Sequence, residues 1–334
     1  MTPTSAPPDP ALVRTSGAVA AQRTIAVVGD VWSLRLLRSV FRGRRRHGDF
    51  VAELGISRAV LSDRLARLVE HDVLLRHALP GRHPEYRLTE RGLDLWSLFL
   101  AMWQWEADWS QWDDAQSWAI DRPRPQVRHT ECGQVMRPQL RCGACGDAVL
   151  PFDTRAGPGE AEAEPGAHVC AGDGAISQPA ALAGSTARPT PDSAFRRGRG
   201  AQREQGTALA QVVGDRWSAA VVAAAFRGAR QFAQFRQQIG IGPAQLSGRL
   251  VELQGLGLLR ARRYAGSRQE YRLTRAGIAL FPMTLELLRW GNRWLAGPGE
   301  DYPVQHLPCG QPLHARWHCD QCGEELKRET VSFG

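Results

Sequence analysis

FVAELGISRAVLSDRLARLVEHDVLL, residues 50–75, is the most informative segment of this chain, because it has a second copy in FRQQIGIGPAQLSGRLVELQGLGLL, residues 235–259. In both copies a short amphipathic stretch ends at a glycine, Gly55 or Gly240, and a leucine-rich stretch follows at once. Leucines spaced three and four residues apart put one face of a helix against a core. The pattern therefore predicts two helices joined by a tight turn, in duplicate.

The start of the second helix is predicted separately in each copy. Ser57 is suited to cap the helix of the first copy, since its side chain can accept an amide proton of the first turn. In the second copy Pro243, after Gly242, takes the first helical position, where proline is tolerated. The predicted buried stripe is Leu61, Leu65, Leu68 and Val69 in the first copy, and Leu246, Leu250 and Leu253 in the second.

The repetition extends on both sides of these helices. GDVWS at 29–33 returns as GDRWS at 214–218, and EYRLT at 85–89 returns at 270–274. The two copies align without a gap throughout this region. Self-similarity at a fixed period reports on architecture, and this period is far too long for a solenoid. The chain is therefore a duplicated module.

The remaining elements of a copy are predicted from periodicity, turn residues and caps. In the first copy they are a helix over 23–41, a short helix over 47–54, strands at 73–75 and 86–88 around a turn at 80–84, and a last helix capped by Thr89, with Thr274 as its counterpart. This order is that of a winged helix-turn-helix. The predicted fold class is mainly α with small β-hairpin wings (α+β).

A second repeated pattern, H-x2-C-x9-C-x2-C, follows each module. Its members are His129, Cys132, Cys142 and Cys145, then His306, Cys309, Cys319 and Cys322. Four nitrogen and sulfur ligands are what tetrahedral Zn²⁺ requires, and a closed set of four indicates a structural site. We expect each set to be complete within its own copy, giving two zinc ions per chain. The alternatives are four reduced residues without metal and a redox-switched disulfide, and His314 and His318 compete as ligands near the second set.

These patterns divide the chain into six predicted regions. They are a disordered N-terminal tail (1–18), a first winged helix-turn-helix domain (19–118), a first zinc-ribbon-like element (126–150), a flexible linker (151–205), a second winged domain (206–297) and a second zinc-ribbon-like element (303–328). The linker is predicted from its Gly, Pro, Ala and Glu content, which cannot bury enough apolar surface to order itself.

The segments VVGDVWSLRLLRSVFRG (27–43), FVAELGISRAVLSDRLARLVEHDVLL and EYRLTERG (85–92) resemble the HxlR-type winged helix-turn-helix regulators, and the second copy carries the matching segments. The resemblance implies binding to operator DNA as a dimer and control of neighbouring genes. Some members respond to electrophiles through a cysteine near the first helix. This chain has no cysteine before Cys132, so that mechanism does not carry over.

The resemblance makes the second helix of each copy the recognition helix, whose N-terminal end meets base edges in the major groove. Arginine suits guanine, glutamine suits adenine, and aspartate can accept from cytosine. The predicted DNA contacts on these helices are Arg58, Ser62, Asp63, Arg64, Arg67, Gln245, Ser247 and Arg249, and those on the basic wings are Arg82, His83, Arg262, Arg263 and Arg268. The plainer interpretation is that they are solvated surface residues.

Composition agrees with a nucleic-acid partner. The chain has 334 residues and a formal net charge of +8, and a basic balance favours polyanions. It contains neither a secretory leader nor an apolar run of membrane-spanning length, so we expect a soluble, cytoplasmic protein. Six of its seven cysteines fall in the two repeated clusters, unlike a secreted disulfide framework.

The expected function is thus a sequence-specific transcriptional regulator acting as a covalent pseudo-dimer on double-stranded DNA, without enzymatic activity. The alternative is a zinc-dependent protein-interaction or redox-sensing module. Tryptophans at helical spacing follow the first wing (Trp96, Trp103, Trp105, Trp109 and Trp112), and Trp290 and Trp294 follow the second. They indicate a core or interface, or else a pocket for an unidentified small-molecule effector.

Overall fold

The computed structural model describes residues 20–79, 82–109, 126–156, 208–265, 268–297 and 303–333. The predicted tail at 1–18, most of the predicted linker and Trp112 lie outside the described residues. Both copies of the repeat belong to one compact unit.

Each copy has a helical module followed by a tail of short strands. The first module contains α1 (20–28), α2 (Val31–Phe41), α3 (His47–Leu54), α4 (Arg58–Glu70), β1 (Leu74–Leu79), β2 (Arg82–Leu88), α5 (Glu90–Leu93) and α6 (Trp96–Trp109). Its tail contains β3 (Val127–His129), β4 (Val135–Met136), β5 (Gln139–Cys142), a 3-10 turn (Pro151–Asp153) and β6 (Thr154–Ala156).

The second copy repeats this order, with one strand fewer among the described residues of its tail. Its module contains α7 (Ala208–Val213), α8 (Arg216–Phe226), α9 (Phe232–Ile239), α10 (Pro243–Gly255), β7 (Leu259–Ala265), β8 (Arg268–Leu273), α11 (Arg275–Ile278) and α12 (Phe281–Leu295). Its tail contains β9 (Val304–His306), β10 (Ala315–His318), a 3-10 turn (Arg328–Thr330) and β11 (Val331–Phe333). Within the described residues, no helix combines the length and apolar character needed to cross a bilayer.

The GD-x-WS repeat is a helix start, which corrects the continuous helix predicted over 23–41. The chain leaves α1 at Gly29, and the side chain of Asp30 accepts the amide protons of Trp32 and Ser33, each at 3.1 Å. Asp215 caps α8 in the same way, accepting from the Ser218 amide at 2.8 Å. A short acidic side chain satisfies amides of a first helical turn that have no partner within the helix.

The helix-turn-helix is built as predicted. Gly55 and Gly240 end α3 and α9 with φ of 60° and 71°, a left-handed conformation that favours glycine. Ser57 caps α4 by accepting the Val60 amide at 3.4 Å, and Pro243 opens α10. The predicted leucine stripes of both helices are buried, although Val69 is only partly so.

The wings are antiparallel hairpins with longer strands than predicted. In the first copy Leu74 pairs with Leu88, and pairing continues to the tip, where Leu79 pairs with Arg82. Thr89 accepts the Gly92 amide at 3.0 Å. It therefore caps the one-turn helix α5, and α6 begins separately at Trp96.

Helices α6 and α12 pack against each other and join the two modules. The Asp94 carboxylate, beside α6, forms an ion pair with Arg289 at 2.9 Å and accepts a hydrogen bond from the Trp294 indole at 2.8 Å. The Trp105 indole donates to the carbonyl of Ala276 at 2.9 Å. Trp290 has no exposed surface. These tryptophans therefore form part of the core that the two copies share.

Helix α1 of the first module also lies against α12. The Thr24 hydroxyl donates to the carbonyl of Leu287 at 2.8 Å. Gly291 faces α1 so closely that a Cβ there would lie 2.3 Å from the carbonyl oxygen of Ala20. Only a residue without a side chain permits this approach.

Candidate metal clusters and nucleic-acid interface

The eight predicted metal ligands form two groups, and each group takes two ligands from each copy. Site A consists of His129 and Cys132 from the first copy with Cys319 and Cys322 from the second. Site B consists of Cys142 and Cys145 from the first copy with His306 and Cys309 from the second. The expectation that each set of four closes within its own copy is therefore wrong.

Exchange of strands between the tails brings these ligands together. Strand β5 pairs antiparallel with β10, so that Cys142 lies opposite Ala315. Strand β11 pairs with β3, and β6 pairs with β9. Residues 154–156, which were expected to belong to the flexible linker, thus complete a sheet with the other copy. The sheets of each tail are therefore completed by strands from the tail of the other copy.

Four similar turns hold the ligands, and each requires a glycine. Gly133, Gly146, Gly310 and Gly323 follow the second ligand of their turns and have φ of 72°, 80°, 69° and 78°. In each turn the glycine amide donates back to the carbonyl of the first ligand, as Gly133 does to His129 at 2.8 Å. These are left-handed positions where a side chain would be strained, which explains why the glycines recur with the cysteines.

The distances within the two sites match a tetrahedral ion. With zinc–sulfur bonds of about 2.3 Å, tetrahedral geometry places two sulfurs about 3.8 Å apart. Cys132 and Cys319 Sγ are 3.9 Å apart in site A, as are Cys142 and Cys309 Sγ in site B. The cysteines are free, since a disulfide would need a separation of about 2 Å.

The histidine nitrogens complete the same geometry. His129 Nδ1 lies 3.3 Å from Cys322 Sγ, and His306 Nδ1 lies 3.4 Å from Cys145 Sγ. Both imidazoles are fully buried. In each site the ligand atoms all lie within 4.8 Å of one another. His314 and His318 belong to neither group, so the structure favours the predicted histidines over these competitors.

Thiol acidity differs between a cysteine of site A and a cysteine of site B. The backbone amide of Gln134 lowers the pKa of Cys132. The backbone amide of Asp147 lowers the pKa of Cys145, but burial and the side chains of Cys309 and Cys142 outweigh it and raise the pKa to about 11. A thiol with that pKa is protonated at neutral pH, so a metal ion that binds it must displace a proton.

The tails rest on the two helices that join the modules. The Trp317 indole of β10 donates to Glu286 of α12 at 2.9 Å. Phe333 of β11 packs on Trp103 of α6 with ring centroids 4.6 Å apart. Arg137, between β4 and β5, forms an ion pair with Asp108 of α6 at 3.0 Å.

Glu286 is a buried polar centre that sequence reasoning missed. Besides Trp317, it accepts from the Ser97 hydroxyl at 2.6 Å and from Arg289 at 2.7 Å. Burial lowers the pKa of Arg289, but the carboxylates of Glu286 and Asp94 outweigh it and raise the pKa. No motif marks these residues, because most of their partners come from the other copy or from a tail.

The residues predicted to face DNA on α4 fall into two groups. Arg58, Ser62 and Asp63 are exposed, although Asp63 forms an ion pair with Arg64 at 2.5 Å. Arg64 is half-buried and donates to Asp30, the cap of α2, at 3.0 Å, and Arg67 donates to the carbonyl of Ala26. These arginines therefore have partners inside the protein.

The second copy reproduces one of these contacts. Arg249 pairs with Asp215, the cap of α8, at 2.8 Å. Ser247 is exposed and Gln245 partly exposed. In both modules the carboxylate that caps one helix thus also binds the second helix of the helix-turn-helix, a link that the GD-x-WS motif alone does not reveal.

The wings present basic residues to solvent. His83, Arg262 and Arg263 are exposed. The side chains of Arg82 and Arg268, at the two hairpin tips, lie outside the described residues.

The HxlR-like helix-turn-helix family model matches residues 27–114 and 212–298, which together are more than half of the chain. The chain belongs to this family. The two matches coincide with the two modules, so the tandem duplication is confirmed.

Relatives of this chain match over the length of one copy. An HTH-type transcriptional regulator of Mycobacterium tuberculosis is 38% identical, over 36% of this chain and 79% of its own length. One from Mycobacterium bovis is 38% identical, over 41% and 84%. A solved candidate transcription factor from Pseudomonas aeruginosa is 27% identical, over 35% of this chain and 81% of its own, with a TM-score of 0.29.

Proposed function

We propose that this chain is a sequence-specific transcriptional regulator that binds operator DNA as a covalent pseudo-dimer, rather than an enzyme. The observation that carries the proposal is the packing of α6 on α12, which joins two helix-turn-helix modules of the family within one chain. The resemblance to HxlR-type regulators implies a dimer, and here one chain supplies both modules. As a DNA-binding regulator, the protein acts in the cytoplasm, where the chromosome lies.

The polar network between the modules supports pairing of unlike copies. Asp94 meets Arg289 and Arg293 of the other copy. At the positions equivalent to these arginines, the first copy has Gln104 and Asp108. A pair of two first copies would therefore turn Asp108 towards Asp94, and like charges in a partly buried interface oppose association.

Base readout is assigned to the exposed N-terminal half of each recognition helix, α4 and α10. We assign guanine to Arg58 and adenine to Gln245, and we assign Asp63 as the acceptor for the amino group of cytosine. Ser62 and Ser247 contact a base or a phosphate. Because the two helices differ at these positions, the operator consists of two unlike half-sites.

The remaining predicted contacts go to the DNA backbone. Three arginines hold the recognition helices through partners inside the protein, and the solvent-facing side of each guanidinium contacts phosphate. They are Arg64, Arg67 and Arg249. The wing residues Arg82, His83, Arg262, Arg263 and Arg268 lie along phosphates. Such contacts supply affinity and orientation rather than sequence preference.

Zinc is the ion proposed for sites A and B. Three sulfurs and one nitrogen in a closed tetrahedron suit Zn²⁺ and leave no position for a reacting water, so both ions have a structural role. Bound zinc supplies a cross-link between the copies, and the chain's own residues perform the DNA recognition.

The test is binding of the purified full-length chain to duplexes selected from a random-sequence pool. We expect one chain, with a mass near 36.8 kDa, to protect two unlike half-sites about one helical turn apart. Affinity should fall steeply with salt, since phosphate contacts release counterions. Two chains on a perfect palindrome would refute the pseudo-dimer, and the absence of DNA binding would refute the whole proposal.

A further inference from the structure

In this structure neither tail forms a metal site alone. Each copy brings one H-x2-C turn and one C-x2-C turn, and the two turns of a copy belong to different sites. An ion in either site therefore bonds to both copies at once. Two such ions, together with the exchanged strands, close the tails on each other.

The closed tails lie on the helices that set the module arrangement. Trp317 reaches α12 through buried Glu286, while Phe333 and Arg137 reach α6. Phe333 and Trp317 come from the tail of the second copy, and Arg137 comes from the first. The tail unit therefore spans both helices of the module interface.

The tail strands are too short to hold this arrangement without the ions. They contain two to four residues each, and pairs of such short strands are only marginally stable in water. Most of the free energy that closes a small metal element comes from binding of the ion. Loss of zinc should therefore open the tails before it affects the leucine cores of the modules.

We propose that sites A and B form a metal clasp between the two copies, and that zinc occupancy controls operator affinity by fixing the spacing of α4 and α10. This inference rests on the proposed function as a two-module DNA binder. With the clasp closed, both recognition helices bind their half-sites of the operator at the same time. With the clasp open, α6 and α12 still join the modules, but Trp317, Phe333 and Arg137 no longer fix the spacing of the two recognition helices.

Two double variants test the sharing of ligands, because each removes two thiols. In C132S/C319S both changes fall in site A, so we expect one zinc per chain. In C132S/C142S both changes fall in the first copy but in different sites, so we expect none. The zinc content of the two purified full-length variants decides between the two arrangements. The reverse result, no zinc in C132S/C319S and one zinc in C132S/C142S, would show that each copy closes its own site.

The regulatory part is tested with three DNA probes: a duplex with both selected half-sites, a duplex with one, and a scrambled duplex. Removal of zinc with a chelator should weaken binding to the two-half-site probe by at least about tenfold, because linking two modules raises affinity by about 10²–10⁴ when their geometry fits both sites. Binding to the single half-site should stay the same, and addition of Zn²⁺ should restore the loss. Circular dichroism follows the helical content of the same samples.

The outcomes separate the inference from the proposed function. Equal operator affinity with and without zinc overturns the clasp as a regulator. Equal weakening on the single half-site, with loss of helical content, also overturns it, because zinc would then support folding of each module. If the zinc-loaded chain binds none of the probes, the proposed function fails, while the metal counts of the double variants still decide whether the sites are shared.

Discussion

Substitution of Gly291 by alanine tests the packing of the two copies at its tightest point. The new Cβ would lie 2.3 Å from the carbonyl oxygen of Ala20 and 2.7 Å from the Thr24 hydroxyl. Ordinary van der Waals contact begins at 3.4 Å, so α1 and α12 must separate by about 1 Å, since backbone oxygen cannot rotate away.

The cost of this separation can be worked from the contacts. Overpacking of a buried site costs about 1–3 kcal/mol. The hydrogen bond from Thr24 to Leu287, now 2.8 Å, would stretch beyond useful length, for a further loss of about 1 kcal/mol. Alanine recovers about 0.5–1 kcal/mol relative to glycine within a helix. We therefore expect the free energy of unfolding to fall by about 1–3 kcal/mol.

Gly248→Ala is the matched control. Gly248 also lies inside a helix, α10, but a Cβ there meets nothing within 4 Å. This variant should be more stable than the parent chain by about 0.5–1 kcal/mol. Urea unfolding of both full-length variants, followed by circular dichroism, gives the comparison. If Gly291→Ala stabilises the chain as Gly248→Ala does, then α1 does not pack on α12, and the described pairing of the copies is wrong.

Two further predictions concern the interface and the metal sites. Arg58→Ala should cost about 1–3 kcal/mol of binding free energy at one base pair and relax the preference there, whereas Arg262→Ala should weaken binding to all sequences alike. Affinities for a panel of singly substituted operators measure both effects. Equal losses for the two variants would show that α4 does not read the bases. The zinc affinity of site B should fall by at least about tenfold per pH unit from pH 8 to pH 6. The reason is that Cys145, whose pKa is raised to about 11, carries a proton throughout this range, and the ion must displace it. Competition with a chromophoric chelator measures the affinity, and an affinity independent of pH would exclude Cys145 as a ligand.

Local structure could be predicted from the sequence because its causes are local. The cap at Ser57, the turn at Gly55 and the leucine stripe of α4 depend on residues a few positions apart. The break at Gly29 and Asp30 was missed, although the same logic applies: an aspartate before a helical segment is a cap. The apolar periodicity continues across the break and hides it.

The partners of the metal ligands could not be predicted in the same way. Because the motif is duplicated, closure within a copy and exchange between copies use the same residues at the same spacing. Only the pairing of β5 with β10, and of β3 with β11, decides between them. Such pairings join residues far apart in sequence, and the short tail strands carry too little pattern to indicate their neighbours.

The duplication nevertheless contains a signal that separates structural from reading residues. Asp30 and Arg64 form the ion pair that fixes α4, and the second copy keeps both residues as Asp215 and Arg249. By contrast, Arg58 and Asp63 on the same helix are replaced by proline and glycine in α10. Two copies that share one fold must preserve the contacts that hold it, whereas two helices that we propose to read unlike half-sites are free to differ. Charged residues common to both copies are therefore best assigned to the scaffold, and exposed residues that differ between them to operator recognition.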